Sequence, residues 1–172
     1  KNIHTGLPLP SYDLWEEKYC VSAFTASLVY GALVSAGHFA KTLGKEEDTK
    51  QFYSEAEALR KAILVNLWDE EGKYFFKLVG DKLEKETTLD ISSFYGTFRF
   101  GIIAADDPKM KDFFDTIKKR LGKGIAIGGV ARYENDAYSH VPGEATGNPW
   151  FVASLWLTQY KIVLATSPSD LE

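Results

Sequence analysis

Three carboxylates lie within five positions in the segment SYDLWEE, residues 11–17, beside two large aromatic side chains. Hydrolysis of a glycosidic bond needs a carboxylic acid that stays protonated near neutral pH. An apolar wall such as the Trp15 indole raises a carboxyl pKa, and so does a nearby like charge. Asp13, Glu16 and Glu17 are therefore candidates for this chemistry. The same acids would also suit the N-terminus of a following helix, where they favour the helix dipole, and spacing alone favours that explanation.

A second candidate segment is RYENDAY, residues 132–138. Its Arg132 and Asp136 could hydrogen-bond to sugar hydroxyls while Tyr133 and Tyr138 stack against a sugar ring. An ordinary surface Arg–Asp pair with aromatic packing explains the segment at least as well. Both explanations stay open at this point.

The remaining polar residues support weaker hypotheses. His140 and Glu144 could exchange a proton, although an isolated loop histidine is usually solvated. The glycines between 122 and 129 do not have a phosphate-binding spacing. With three scattered His and the single Cys20, the sequence predicts no metal site, no disulfide framework and no cofactor.

The charge balance narrows the class of partner. With 20 Lys+Arg against 24 Asp+Glu, the net charge of −4 argues against nucleic-acid binding. No apolar run reaches the roughly 18 residues of a membrane span, so a transmembrane protein is excluded at this stage. No signal-peptide pattern is visible, which leaves the compartment unknown and slightly favours the cytoplasm. The first residue is Lys1, so we expect a processed chain or part of a longer one.

Hydrophobic periodicity predicts helices that alternate between two kinds. Three are apolar almost all round and should be buried, and two have one polar face. This alternation predicts two concentric layers of helices, as in a toroid or solenoid, with a short β-hairpin near residues 73–83. The loops before the buried helices should then lie together at one end. The predicted buried helices are 19–43, 90–104 and 148–165, the amphipathic ones are 46–68 and 109–121, and the loops are 7–18, 84–91 and 122–147.

The motifs resemble those of the glucoamylase family of glycoside hydrolases, which includes glucodextranases and some trehalases. YDLWEE (12–17) with Phe24-Thr25 resembles the family's acid motif, and RYENDAY followed by GNPWF (147–151) resembles its second signature. Two shorter segments, LDIS (89–92) and ADDPKM (105–110), also fall in family order. The resemblance implies an all-α fold, part of an (α/α)6 toroid, with residues 1–172 as one partial catalytic domain. It also implies inverting, exo-acting hydrolysis of α-glucosidic bonds in starch-like oligosaccharides.

The resemblance assigns roles to individual residues. Glu16 would be the general acid, and Glu17 would bind the sugar on the leaving-group side. Asp13 and Tyr12 would support the loop. The other substrate-binding residues would be Trp15, Arg132, Tyr133, Asp136 and Trp150.

The second carboxylate of an inverting enzyme has no clear counterpart. A general base should lie roughly 6.5–9.5 Å from the acid, and in the family it follows a segment resembling PLTWSHA, which does not occur before Glu172. Glu144 is a substitute, but it lies in an insertion where the family does not place its base. We therefore expect the base beyond residue 172, little hydrolysis by this chain alone, and self-association through exposed inner helices. The alternative is a non-catalytic regulatory or sugar-binding toroid, as in the phosphorylase kinase regulatory subunits.

Overall fold

Five α-helices form most of the computed structural model, which describes residues 1–143 and 145–171. α1 packs along α2 and against α3, and α3 also contacts α4 and α5. α3 is thus the central helix of this chain. The bounds are α1 Ala23–Thr42, α2 Glu46–Leu67, α3 Ile91–Arg99, α4 Pro108–Leu121 and α5 Phe151–Leu164, followed by a 3-10 helix at Pro168–Leu171.

α1 and α2 form a helical hairpin. Ser22 caps α1, since its side chain accepts a hydrogen bond of 3.1 Å from the Thr25 N–H. Gly44 turns the chain between the helices with φ of 68°, a conformation that glycine adopts without strain. α2 buries one stripe that includes Leu59 and Ile63 and leaves its charged face exposed, which confirms the amphipathic helix predicted over 46–68.

α3 is buried as predicted but ends at Arg99 rather than Ala104. Gly101 has φ of 78°, and the N–H of Ile102 bonds to the Thr97 carbonyl at 2.9 Å. Together with the bond from Gly101 N–H to the Phe98 carbonyl at 3.3 Å, this is a Schellman ending, which closes the helix one turn earlier than apolar periodicity indicates.

α1 and α5 are not buried on all sides in this chain, in contrast to the prediction from periodicity but as expected for the exposed inner helices of a partial toroid. α5 buries only Ala153 and Tyr160, and α1 also has large apolar side chains in solvent. In the described part of the chain, no element covers these faces. The exposed side chains are Leu28, Val29 and Phe39 on α1, and Phe151, Val152, Leu155, Ile162, Val163 and Leu164 on α5.

The length and hydropathy of α1 contradict the exclusion of a membrane span from the sequence. Over the described residues, it is the one helix long and apolar enough to cross a bilayer, with a mean hydropathy of 1.3. Length and composition therefore do not exclude a membrane span. The core helix of a soluble protein passes the same test, and α1 packs against α2 and α3.

Short antiparallel strands hold the loops at one end of the helices. One sheet has the order β1-β2-β5-β6, and β3 pairs with β4 in a second. The predicted hairpin near 73–83 corresponds to β5–β6, although it extends to Glu86. Because β2 pairs with β5, the loop between β1 and β2 is fixed beside Lys77. The strands are β1 Ser11–Tyr12, β2 Tyr19–Val21, β3 Trp68–Asp69, β4 Tyr74–Phe75, β5 Lys77–Val79 and β6 Glu84–Glu86.

Candidate active site

Residues 13–18 form the loop between β1 and β2, which we call the acid loop. The Asp13 side chain stabilises this loop, because its Oδ1 accepts hydrogen bonds from the backbone N–H groups of Glu17 at 3.0 Å and Lys18 at 3.3 Å. α1 begins only at Ala23 and is capped by Ser22. The explanation of these acids as helix caps is therefore wrong, because they lie in a hairpin loop.

The two adjacent glutamates of the acid loop have different surroundings. Glu16 has φ of 57°, in the left-handed region that non-glycine residues rarely adopt, and its side chain is exposed. Glu17 contacts two side chains of the second segment: its carboxylate lies 3.3 Å from Arg132 Nη2 and accepts a hydrogen bond from the Tyr133 hydroxyl. The apolar enclosure expected around a general acid is not supplied to Glu16 by the residues described here.

Below the acid loop, one ammonium joins two buried carboxylates. Lys77 Nζ lies 2.6 Å from Asp13 Oδ2 and 2.8 Å from Asp90 Oδ2, and the exposed fractions of the three side chains are 9%, 3% and 2%. We call this group the Lys77 bridge. Asp90 Oδ2 also accepts a 3.0 Å bond from Trp15 Nε1, while Asp90 Oδ1 caps α3 at the Ser92 N–H. A single aspartate therefore fixes both Trp15 and the start of α3.

The charges of the Lys77 bridge stabilise one another. Burial raises the pKa of Asp13. The hydrogen bond and charge of Lys77, together with the hydrogen bonds from the loop N–H groups, lower that pKa by more, so the net shift is downward. Burial lowers the pKa of Lys77, and the charges and hydrogen bonds of Asp90 and Asp13 outweigh it and raise that pKa. Asp13 and Lys77 therefore stay charged at neutral pH.

Arg132 and Asp136 form a buried pair rather than the surface pair considered above. Arg132 Nε and Nη2 each lie 2.7 Å from an oxygen of Asp136, and the exposed fractions of the two residues are 5% and 1%. The guanidinium lies within 4.5–5.4 Å of four aromatic ring centres, close enough for cation–π attraction. Arg132 Nη1 has no hydrogen-bond partner among the described residues, which leaves it available as a donor. The four rings belong to Trp15, Tyr133, Tyr138 and Trp150.

Backbone contacts join the second segment to the residues before α3. The Ile91 N–H donates to the Arg132 carbonyl at 2.9 Å, and the Glu134 N–H donates to the Leu89 carbonyl at 3.1 Å. The Glu134 carboxylate also accepts two bonds from Arg120, at 2.7 and 2.5 Å. The three loops therefore meet at one end of the helices, which confirms the placement predicted from the helix order.

The structure brings together most of the residues singled out in the sequence. One continuous set of contacts joins six of them: Trp15, Glu17, Arg132, Tyr133, Asp136 and Trp150. Glu16 lies at its edge, while Tyr12 packs edge-on against Tyr19 at 5.6 Å, away from Arg132's ring cluster, and its side chain is mostly exposed. Glu144, considered as a base, lies outside the described residues.

Sequence reasoning missed Lys77 as a site residue and assigned no role at the site to Asp90. Lys77 is the one charged residue in the apolar run from Tyr74 to Val79. That signal marks a paired charge, because an unpaired lysine would be costly there. Nothing in its spacing identifies the partners.

A small cleft of about 10 Å³ lies between the acid loop and Lys77, Glu86 and Tyr133. Larger cavities lie elsewhere, including one of about 580 Å³ beside Val29 and Leu59 and one of about 550 Å³ beside Trp68 and Phe76. In residues 1–143 and 145–171, no group of three or more His, Cys, Asp or Glu could hold a metal ion.

Comparison with known proteins gives the family context. The family model "Glycosyl hydrolases family 15" matches residues 5–167. An uncharacterized glycosyl hydrolase of Methanocaldococcus jannaschii is 30% identical over 151 residues, which cover 88% of this chain and 23% of that protein. A glucoamylase of Blastobotrys adeninivorans is 25% identical over 170 residues, which cover 88% of this chain and 27% of that protein.

A solved structure shows which fold these helices belong to. The crystal structure of a bacterial glucoamylase complexed with acarbose matches with a TM-score of 0.73 at 19% identity, over 91% of this chain and 27% of that one. The helices therefore form part of an (α/α)6 toroid, as predicted. The chain spans about a quarter of the length of each of these three proteins.

Proposed function

The chain belongs to glycosyl hydrolases family 15, and from this premise we propose that it supplies the acid side of an inverting, exo-acting α-glucosidase of the glucoamylase type. The observation that carries the proposal is the division between Glu16 and Glu17. Glu17 is engaged by Arg132 and Tyr133, whereas Glu16 is exposed and has a left-handed backbone conformation. Two adjacent carboxylates in different environments suit two different roles.

In this mechanism Glu16 protonates the leaving glycosidic oxygen. Glu17 accepts hydrogen bonds from hydroxyls of the sugar on the leaving-group side. Arg132 donates through Nη1 to the terminal glucose, and Asp136 keeps the guanidinium in place. Trp15, Tyr133 and Trp150 contribute ring faces, while Asp13 holds the acid loop and Tyr12 packs at its base. The general base, which activates the attacking water, comes from outside these 172 residues.

The experiment uses the complete natural polypeptide that contains these residues. Maltose, isomaltose, trehalose and soluble starch are supplied, and proton NMR records which glucose anomer appears first. We expect release from maltose and starch, and the anomer is read from starch, where an exo-acting enzyme frees glucose from the non-reducing ends. β-Glucose should appear first from starch, because inversion converts an α-linkage into a β-anomer. First appearance of α-glucose from starch would overturn the inverting mechanism.

Other outcomes of this panel favour other functions. Release confined to trehalose or isomaltose would favour a trehalase or a glucodextranase. Sugar binding without release from any substrate would favour the non-catalytic toroid. The 172-residue chain alone should release no glucose from maltose, and measurable turnover would show that it contains a base.

A further inference from the structure

Lys77 supports the acid loop from the neighbouring strand β5, so a substitution of Lys77 would alter the loop indirectly. Its side chain is 9% exposed and extends from β5 under the loop. Its ammonium contacts Asp13, which holds the Glu17 and Lys18 N–H groups and also accepts the Glu16 N–H on its carbonyl at 3.0 Å. The loop conformation around Glu16 thus depends on the position of Asp13.

The same ammonium reaches Trp15 through Asp90. Trp15 Nε1 donates to Asp90 Oδ2, the oxygen that also contacts Lys77. Without the lysine, Asp13 and Asp90 would be two neighbouring buried carboxylates with no cation between them. Such a pair would move apart or take up a proton. Either change would release the acid loop or Trp15.

We propose that Lys77 is a positioning residue for the general acid: by bridging Asp13 and Asp90 it fixes the acid loop, and with it the direction in which Glu16 delivers its proton. The inference rests on the proposed function. It adds a residue on a different strand that touches neither substrate nor reacting atoms. Because the Lys77 bridge also holds Trp15 and the Glu17 N–H, which belong to residues that the proposed function assigns to sugar binding, its loss should affect proton delivery far more strongly than sugar binding.

The test compares two substrates that differ in their need for a proton. The glucosyl oxygen of maltose must be protonated as it leaves, whereas fluoride leaves α-glucosyl fluoride as an anion without a proton. In the complete natural polypeptide, Lys77→Met should lower kcat on maltose by about 100-fold, the lower range for general-acid catalysis. Its KM for maltose and its kcat on the fluoride should stay within a few-fold of the unaltered values.

Matched variants separate positioning from simple damage. Lys85→Met removes an exposed lysine on β6 of the same hairpin and should change neither rate. Lys77→Arg restores the charge and should recover part of the maltose activity. If Lys77→Met does not fold, Asp13→Asn breaks the bridge from its other end and should show the same selective loss on maltose.

The outcomes distinguish this inference from the proposed function. Equal losses on both substrates, or full activity on maltose, in the folded variant would overturn the positioning role alone. Glu16→Gln measured in parallel tests the acid assignment. If the unaltered polypeptide hydrolyses neither substrate, the proposed function fails and the positioning role fails with it.

Discussion

Asp136 holds Arg132 through two hydrogen bonds of 2.7 Å from Nε and Nη2, and both residues are almost completely buried. A paired geometry of this kind fixes the plane of the guanidinium as well as its position. The remaining Nη1 donors therefore point in one direction. In the proposed function, sugar recognition by Arg132 would therefore depend on a residue four positions later that need not touch the sugar.

Asp136→Asn should destabilise the fold and weaken substrate binding. Removing one charge of a buried pair leaves the other uncompensated, which typically costs about 3–5 kcal/mol. Urea unfolding gives the free energy, and maltose kinetics of the complete natural polypeptide should show a raised KM. Asp112→Asn on the exposed face of α4 is the control and should change neither quantity. Unchanged stability in Asp136→Asn would mean that the pair contributes nothing.

Glu16→Gln and Glu17→Gln should separate catalysis from binding in the complete natural polypeptide. Loss of the general acid should lower kcat on maltose by about 10²–10⁴-fold with KM nearly unchanged. Glu17→Gln should instead raise KM, because Glu17 bonds to Arg132 and Tyr133. Steady-state kinetics on maltose measures both effects. Activity near the unaltered level in Glu16→Gln would remove that residue from the acid role.

The fold should lose stability in acid. For Asp136, burial raises the pKa, but the hydrogen bonds and charge of Arg132 lower it below its ordinary value of 3.8. The hydrogen bonds from Lys18 and Thr88 lower the pKa of Glu86 from 4.5 to about 2. A lowered folded-state pKa means that the unfolded chain binds more protons, so stability is full above the unfolded pKa and falls below it.

Urea unfolding at pH 7, 4.5 and 2.5 checks this direction. The free energy of unfolding should be nearly constant down to about pH 4.5 and decrease below it. Glu86→Gln should show a smaller decrease, since one of the responsible carboxylates is gone. Stability that rises as the pH falls from 4.5 to 2.5 would contradict the assignment.

The sequence predicted the elements better than the contacts that complete the site. The stripe of Leu59 and Ile63 is a local property of α2, so periodicity was enough to place that helix. The burial of α5 depends on neighbours, and its composition alone could not show that Phe151 would be exposed. Lys77 was missed because its partners Asp13 and Asp90 are distant in sequence. The pairing of β2 with β5 places the acid loop beside Lys77, while Asp90 arrives separately as the cap of α3.

Gly147→Ala should disturb the support of Arg132. A Cβ at Gly147 would lie 2.8 Å from the Asp136 Cβ and 3.2 Å from the Ala131 Cβ, closer than packed atoms allow. In the complete natural polypeptide, we expect a lower melting temperature and a raised KM for maltose. Gly143→Ala is the matched control in the same loop, because among the described residues, chain neighbours aside, no atom lies within 4 Å of its added Cβ. Equal melting temperatures for the two variants would contradict this expectation.

The 172-residue chain should associate with itself in solution. Phe151 is 91% exposed and Val163 61% exposed on the apolar face of α5, and such a face is rarely left in water. Light scattering should show oligomers that Phe151→Ser with Val163→Ser reduces. Val65→Ser removes an exposed valine on α2 and is the control. A monodisperse monomer at high concentration would contradict association.

Few side chains could replace Asp90. A helix cap alone accepts Ser, Thr, Asn or Asp, but only a carboxylate can cap α3 with one oxygen and serve both Lys77 and Trp15 with the other. A serine there would preserve the helix and release the indole. The start of α3 and the position of Trp15 therefore depend on the same residue, and a substitution of Asp90 can affect both.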